Sequence, residues 1–267
     1  MAHKTFLEIC FILSLKIKQN LLLWKELKKG KMKKVAILQS NYIPWKGYFD
    51  IINMVDVFIF HDDLQYTKGD WRNRNKIKTP NGTEWLTIPC GSSEKRLINE
   101  VVLSDHSWQK KHWTKIENNY RKAKYFKEYV DFFKNIYLSK KWLYLSELNQ
   151  FIIKTIAYDI FRINTKFESS LAYNLKLSKS ERVLELLKKS GANCYVSGPS
   201  AKSYLDIKSF DEANINIIWV DYSNYPIYNQ LFEPFEHNVS ILDLIFNEGP
   251  NATKFMKSFV KNNTHCQ

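Results

Sequence analysis

The sequence has few cysteines and no pair of them at a spacing typical of metal binding. The four cysteines, Cys10, Cys90, Cys194 and Cys266, are far apart and form no C-x-x-C motif. Disulfide-rich secreted domains and zinc sites both require cysteines in sets or close pairs. Neither class is indicated, so we predict a reducing compartment, the cytoplasm, and no metal site.

Long apolar runs are also missing. The apolar stretch 6–15 is interrupted by Glu8, no small-residue cleavage pattern follows it, and no run approaches the roughly 20 residues that a membrane-spanning helix needs. We therefore predict no membrane span. Because Met32 directly precedes a strong strand pattern, residues 1–31 are predicted to be a basic and apolar extension outside the folded domain.

Acidic residues are in the minority, but the excess of positive charge is unevenly distributed. The formal charge is +13; residues 1–34 hold nine lysines against two glutamates, a net +7, which leaves +6 for the rest. Such a mildly basic body suits an anionic small molecule as well as it suits RNA. An apolar content of 45% and an aromatic content of 15% indicate a folded globule.

The hydrophobic pattern predicts an α/β fold. A strand at 35–39, a helix opened by Pro44 and a strand at 57–60 form a βαβ unit, which implies a parallel pair. A hairpin is predicted around Pro80-Asn81-Gly82, and a helical insertion at about 106–162. The last third returns to strands and helices. We predict a Rossmann-like, mostly parallel sheet in a single domain, 32–249, followed by a C-terminal tail, 250–267.

Three polar clusters could carry chemistry, and no Gly-rich phosphate loop accompanies them. The first follows the first strand, where ligands bind in open parallel sheets. Its predicted substrate-binding residues are Gln39, Tyr42, Trp45 and Tyr48. The alternative interpretation is a helix N-terminus followed by aromatic core residues.

The second cluster follows the next strand and contains His61, Asp62, Asp63, Gln65 and Lys68. A histidine beside carboxylates can accept or share a proton, so His61, Asp62 and Asp63 are predicted catalytic residues. Successive residues of a strand point to opposite faces, so we expect at most one of the two aspartates to face the ligand, with the histidine pointing away. Divalent-metal binding is the less favoured alternative. Gln65 and Lys68 are predicted to bind substrate.

The third cluster is Arg72, Asn73, Arg74 and Asn75, next to Trp71. Two arginines at i and i+2 of a strand project to one face, where they can clamp a phosphate or carboxylate. The alternative is a solvated basic edge strand. Ser197, in a later strand-to-turn segment, is added to the predicted substrate-binding set.

The order and spacing of these blocks resemble the WbqC-like family. The resemblance is carried by Gln39 to Phe49, Asp62-Asp63, Trp71 to Asn75, and later blocks that include Trp85 to Pro89, Tyr195 to Gly198 and Ser240 to Asp243. Ser40 departs from the family, which usually has proline there. The resemblance implies a role in bacterial surface-polysaccharide clusters, with glycine or small-acyl transfer to O-antigen sugars as the suggested activity; it implies no established catalytic residues.

Two functions follow as hypotheses. The first is a transferase that acts on a nucleotide-linked or lipid-linked amino sugar by direct attack, with Arg72, Arg74 and Lys68 on the diphosphate and Asp63 or His61 as proton acceptor. The second is a non-catalytic module that binds a nucleotide sugar, a glycan or RNA. No cofactor is indicated, and the modest charge of the body argues against a stable nucleic-acid partner.

Overall fold

The computed structural model describes residues 32–262, and side chains to residue 260. Within that range the chain forms seven strands and eight α-helices. The strands are β1 Lys34–Leu38, β2 Val57–Phe60, β3 Arg74–Thr79, β4 Gly82–Thr87, β5 Lys166–Ser169, β6 Cys194–Ser197 and β7 Asn216–Trp219. The helices are α1 Lys46–Asn53, α2 Ser107–Tyr120, α3 Phe126–Leu138, α4 Leu145–Thr155, α5 Lys179–Ser190, α6 Ile207–Glu212, α7 Ile241–Glu248 and α8 Lys257–Asn262.

Five strands form one parallel sheet in the order β5-β2-β1-β6-β7. The chain moves outward from β1 to β2 and β5, and then returns to the other side of β1 for β6 and β7. This reversal places a topological switch point beside β1, where the loops after β1 and β6 diverge. The prediction of a Rossmann-like, mostly parallel sheet is confirmed.

The two faces of the sheet are buried in two different cores. Alternate strand residues such as Val35, Ile37 and Ile59 pack with α5 and α6, in what we call the small-core face. The intervening residues, such as Ala36 and Phe58, pack with α1, α2, α3, α4 and α7 in the large-core face. Burial on both faces explains why the strands are continuous apolar runs and do not alternate with polar residues.

The predicted hairpin and helical insertion are both present. Strands β3 and β4 pair antiparallel around Pro80-Asn81, outside the main sheet, and β3 contacts α2 and α7. Helices α2, α3 and α4 occupy the predicted insertion, with α4 continuing into a π-helical turn, Ile156–Ile160. One boundary differs from the prediction: β3 begins at Arg74, so Arg72 lies in the preceding turn and not on the strand.

The predicted domain is flanked by the predicted N-terminal extension and the predicted C-terminal tail. The predicted extension, 1–31, lies outside the described residues. The predicted tail, 250–267, contains a 3₁₀ helix, Gly249–Phe255, and α8, and buries Ala252 and Met256 in the large core as far as it is described. Within residues 32–262 no helix is both long and apolar enough to cross a membrane.

Two irregular segments border the carboxyl edge of the sheet. The first is the loop between β1 and α1, where Ile43 has φ +37°, an unusual conformation for a β-branched residue and for a residue before proline. The second, which we call the strap, is the stretch 220–240, which has neither helix nor strand between β7 and α7. Such long irregular segments in compact domains are often functional.

Candidate functional site

The carboxyl ends of the parallel strands bring several predicted residues to one edge of the sheet. Gln39 follows β1, His61 follows β2, Ser170 follows β5 and Ser197 ends β6. Each of these residues continues the alternation of side chains along its own strand. Polar groups that lie far apart in the sequence therefore meet at the small-core face of this edge.

A cleft of about 320 Å³ opens at this position, which we call the histidine cleft. Its polar lining comes from the loops after β1 and β2, from β6, from the first turn of α5 and from Tyr204. The lining side chains are Ile37, Leu38, Gln39, His61, Leu64, Lys179, Arg182, Val183, Tyr195 and Tyr204. The cleft thus lies beside the switch point, the usual ligand position in open α/β sheets.

His61 is held in one protonation state by its surroundings. Arg182 donates its Nε–H to His61 Nε2 at 3.1 Å, so the ring proton of the neutral imidazole is on Nδ1. Burial lowers the pKa of His61 to about 4; Asp63 opposes that shift and Arg182 adds to it. At neutral pH the imidazole is therefore uncharged, and its lone pair is engaged by a guanidinium.

Asp63 completes this cluster. Its carboxylate forms an ion pair with Arg182 and accepts a hydrogen bond from the Ser170 hydroxyl. One carboxylate oxygen lies 3.7 Å from His61 Nε2. His61 and Asp63 therefore point to the same side, which corrects the expectation that His61 would point away from the aspartate facing the ligand.

Asp62 lies on the opposite side, as strand alternation predicts for adjacent residues. It accepts hydrogen bonds from the Ser40 backbone N–H at 2.7 Å and from Gln150 Nε2 at 2.8 Å. Burial raises its pKa, although these hydrogen bonds act in the other direction. Asp62 therefore ties the loop after β1 to α4, and it does not line the histidine cleft.

Two of the predicted aromatic binding residues are part of the core. Tyr42 is fully buried, and its hydroxyl bonds to His112 Nδ1 at 2.9 Å and to the Tyr137 hydroxyl at 2.7 Å. Tyr48 is also buried and donates to the Gln39 carbonyl at 2.9 Å. The alternative interpretation of the first cluster, aromatic core residues at a helix start, describes these two side chains.

Trp45, by contrast, lines a second hollow of about 170 Å³, which we call the tryptophan pocket. The lining residues are Asn41, Pro44, Trp45, Trp71, Asn75 and Asn238. The ring of Trp45 packs edge-on against Tyr222 and Tyr225. It also folds over Gly47, where an added Cβ would lie 2.3 Å from the indole, so the glycine makes room for this ring position.

The asparagines of the third cluster hold the backbone in place. Asn75 Nδ2 donates to the carbonyls of Tyr42 at 3.2 Å and Ile43 at 2.8 Å, and so fixes the turn with the positive φ. Asn73 donates to the Ile88 carbonyl and accepts from the Gly69 N–H. Both side chains are buried, and Asn75 alone of the two also lines the tryptophan pocket.

The two arginines of that cluster have separate surroundings. Arg72 Nη1 lies 3.4 Å from Asn41 Oδ1, and its Nε lies 3.5 Å from Asp70. Arg74 stacks over the ring of Trp85 at 4.3 Å. Because Arg72 precedes the strand, the two arginines are not at i and i+2 of one strand as predicted; that they bind a phosphate or carboxylate stays a prediction. Neither guanidinium is among the groups that line the histidine cleft.

The remaining predicted residues, Gln65, Lys68 and Ser197, are not lining residues of either hollow. Gln65 and Lys68 are exposed, and the backbone N–H of Lys68 bonds to Glu94. Ser197 is buried at the end of β6, with its hydroxyl 3.3 Å from that of Tyr195. None of the three lines the histidine cleft or the tryptophan pocket.

The chain is similar to a known protein family and to a mycobacterial protein. Residues 39–255 match the WbqC-like protein family, so the match includes the tryptophan pocket, the strap and all the lining residues of the histidine cleft except Ile37 and Leu38. The chain belongs to the WbqC-like family. It is also 46% identical over 228 residues to the uncharacterized protein Rv1507c of Mycobacterium tuberculosis (strain ATCC 25618 / H37Rv), covering 85% of this chain and 98% of that protein. No solved structure matches it.

The WbqC-like chain contains site residues that sequence reasoning missed. Arg182 and Lys179 lie in the first turn of α5, and Asn238 lies in the strap. A usable signal existed for the first two: the helix after β5 begins at the same edge of the sheet as the loops after β1 and β2. Charged residues in its first turn could have been added to the candidate set on that ground.

Proposed function

We propose that this WbqC-like protein is a transferase of bacterial surface-polysaccharide biosynthesis that joins glycine or another small acyl group to an amino sugar carried on a nucleotide or a lipid. One observation carries the proposal: His61 and Arg182 line a cleft at the carboxyl edge of the sheet and contact each other, and Asp63 pairs with Arg182. Family membership supports the polysaccharide context.

The charge of the cleft suits a phosphorylated carrier. Lys179 and Arg182 both line it, and a guanidinium matches the geometry of phosphate oxygens. Arg182 is already paired with Asp63, so a diphosphate would exchange one anionic partner of the guanidinium for another, and the Asp63 carboxylate would keep the hydrogen bond from Ser170. This exchange draws the guanidinium away from His61 Nε2.

The exchange would also activate the histidine. Once Nε2 is released, the neutral imidazole can accept a proton from the amine of the sugar while the amine nitrogen attacks the carbonyl of an ester or thioester donor. The carbon–nitrogen bond forms, the bond to the alcohol or thiol breaks, and the proton passes from the imidazolium to that leaving group. Asp63, 3.7 Å from Nε2, would stabilise the imidazolium between these steps.

A non-catalytic module that binds nucleotide sugars is the second candidate. The contacts of the cluster favour it, because Nε2 of His61 and both oxygens of Asp63 already have partners within the protein. The cluster would then be a rigid anion receptor. The two candidates agree on ligand binding and differ on turnover.

One pair of measurements separates them. Calorimetric titration with UDP- and dTDP-linked amino sugars should show binding by the wild type, and Arg182→Ala should weaken it at least tenfold, whereas the exposed Arg121→Ala should not. Transfer of tritiated glycine from an activated donor should then be lost in His61→Gln with binding retained. Binding without transfer in the wild type would favour the module, and absence of binding would contradict both.

A further inference from the structure

The tryptophan pocket has a chemical character different from that of the histidine cleft. Two indole rings and a proline supply its apolar surface, and three asparagines supply its polar groups. None of its lining side chains is charged. A pocket of this kind would not select an anionic carrier, because it offers no opposite charge to offset the cost of desolvating phosphate.

The size of the pocket limits its occupant to about one ring. Its volume is about 170 Å³. Drug-sized ligand pockets begin at about 300 Å³, and an engineered cavity of about 150 Å³ holds a single benzene ring. A six-membered ring with polar substituents therefore fits, whereas a nucleotide does not.

The polar groups are placed to contact such a ring. Asn41 uses Oδ1 in a long hydrogen bond with Arg72, and the side chain of Asn238 is exposed at the pocket. Amide groups both donate and accept, which matches hydroxyl and acetamido groups. Asn75 differs, because its Nδ2 is committed to the backbone of Tyr42 and Ile43.

The aromatic surface continues out of the pocket onto the hairpin. Trp71 is 45% exposed and Trp85 is 37% exposed, and their ring centroids lie 5.6 Å apart. Contiguous exposed apolar surface rimmed by polar residues marks interaction sites and ligand-binding grooves. Arg74 and Lys76 lie over the Trp85 ring, at 4.3 and 5.1 Å, and hold it in position.

From these observations we infer that the tryptophan pocket and the Trp71–Trp85 surface form a glycan-binding site, with an uncharged hexose or acetamidohexose ring in the pocket and the next sugar across Trp71. The identification of that glycan as the acceptor rests on the proposed function; the binding site itself does not. Single-stranded RNA also stacks on tryptophans, but it would need cations along the pocket as well as on the hairpin; Arg74 and Lys76 lie over Trp85, whereas the pocket lining supplies no cation.

The test is titration of the full-length, ¹⁵N-labelled protein with N-acetylglucosamine, galactose and rhamnose, followed at the indole N–H signals. The signal of Trp71, assigned with Trp71→Phe, should shift with at least one of the sugars. The signals of the buried Trp113 and Trp142 should not shift. A uridine-rich RNA oligonucleotide is titrated in parallel and should leave Trp71 unperturbed.

Variants localise the site without disturbing the core. Trp71→Ala removes an exposed stacking face, on the order of 60 Å² of apolar contact, and should weaken sugar binding about tenfold. Asn238→Ala should weaken it several-fold, and Trp71→Phe should restore most of the loss seen in Trp71→Ala. Tyr144→Ala, which removes an exposed aromatic ring elsewhere, should have no effect.

The outcomes are distinguishable from those of the proposed function. The inference is overturned if none of the three sugars shifts Trp71, if Trp71→Ala binds as the wild type does, or if RNA alone binds at this surface. Sugar binding that persists in Arg182→Ala, together with no glycine transfer by the wild type, would leave the glycan site standing and remove the transferase. Transfer activity by the wild type, together with no effect of sugars or substitutions at Trp71, would leave the transferase standing and remove the glycan site.

Discussion

At the scale of single residues, three side chains with similar sequence signals have very different roles. Asn75 holds a backbone turn, Asp62 ties two elements together, and Asp63 takes part in a charged cluster at a cleft. Strand alternation explains why Asp62 and Asp63 separate. The sequence alone could not show which partners each would meet, because Gln150 and Arg182 lie 88 and 119 residues away.

The Asn75 amide should contribute strongly to stability. Asn75→Ala would leave the buried carbonyls of Tyr42 and Ile43 without a donor, next to the turn at Ile43. We expect the free energy of unfolding to fall by about 2–3 kcal/mol, measured by urea denaturation. Asn238→Ala, at an exposed position, should change it by less than about 0.5 kcal/mol. Equal effects of the two substitutions would contradict this role for Asn75.

His112 should make stability depend on pH. Burial lowers its pKa to about 4, against 6.5 in a model peptide. Between pH 6.5 and 4 the imidazole is therefore protonated in the unfolded chain and neutral in the native chain. The stabilising effect of the neutral ring is present above pH 6.5 and is lost as the pH falls towards 4. His112→Gln should therefore show a shallower loss of stability over this range than the wild type. Parallel curves for the two proteins would show that the shift is absent.

At the scale of elements, hydrophobic pattern and turn signals were sufficient for the hairpin, the helical insertion and every described strand except β5, which was not predicted. They were insufficient for side-chain burial in the loop after β1. Tyr42 is buried because α2 and α3 supply His112 and Tyr137, 70 and 95 residues away. The two-residue offset at the start of β3 had a larger effect, because it places Arg72 in the turn before the strand that contains Arg74, so strand alternation no longer supports a clamp.

The contact between the loop after β1 and α4 should depend on the charge of Asp62. In Asp62→Asn, the new side-chain NH2 group would replace one carboxylate oxygen. A donor would then face the Ser40 N–H or the Gln150 NH2 group, where the wild type has an acceptor. We expect a loss of about 2–4 kcal/mol in the free energy of unfolding, measured by urea denaturation. Gln150→Glu should be destabilising as well, because it sets two carboxyl groups together. If Asp62→Asn leaves the free energy of unfolding unchanged, this link does not stabilise the fold.

At the scale of the whole molecule, the strap closes the large-core side of the domain through buried polar contacts. Lys46 and Lys78 donate to the carbonyls of Pro226 and Pro234, and Tyr225 and Tyr228 bond to Asp50 and Asp243. Burial lowers the pKa of Lys46 to about 8. These contacts tie the strap to α1, β3 and α7, and Asn238 of the strap lines the tryptophan pocket.

Loosening the strap should affect the pocket more than the sheet. Tyr228→Phe removes one hydrogen bond to the buried Asp243 carboxylate, and we expect faster amide exchange and faster proteolysis within 220–240, at a cost of about 1–2 kcal/mol in global stability. Hydrogen exchange resolved by mass spectrometry measures the amide exchange, and limited proteolysis measures the rate of cleavage. Protection that falls equally in β1, β2 and the strap would show that the strap is not a separate unit.

The proposed function depends most on the histidine cleft receiving a phosphorylated sugar through Arg182, which thereby frees His61. Its most direct test follows the ring nitrogens of His61 by ¹⁵N NMR during titration with a UDP-amino sugar. We predict an Nδ1–H tautomer with Nε2 accepting a hydrogen bond in the free protein, and a change at Nε2 that saturates with the ligand and is absent in Arg182→Ala. Saturable binding that leaves both ring nitrogens of His61 unchanged would contradict the account.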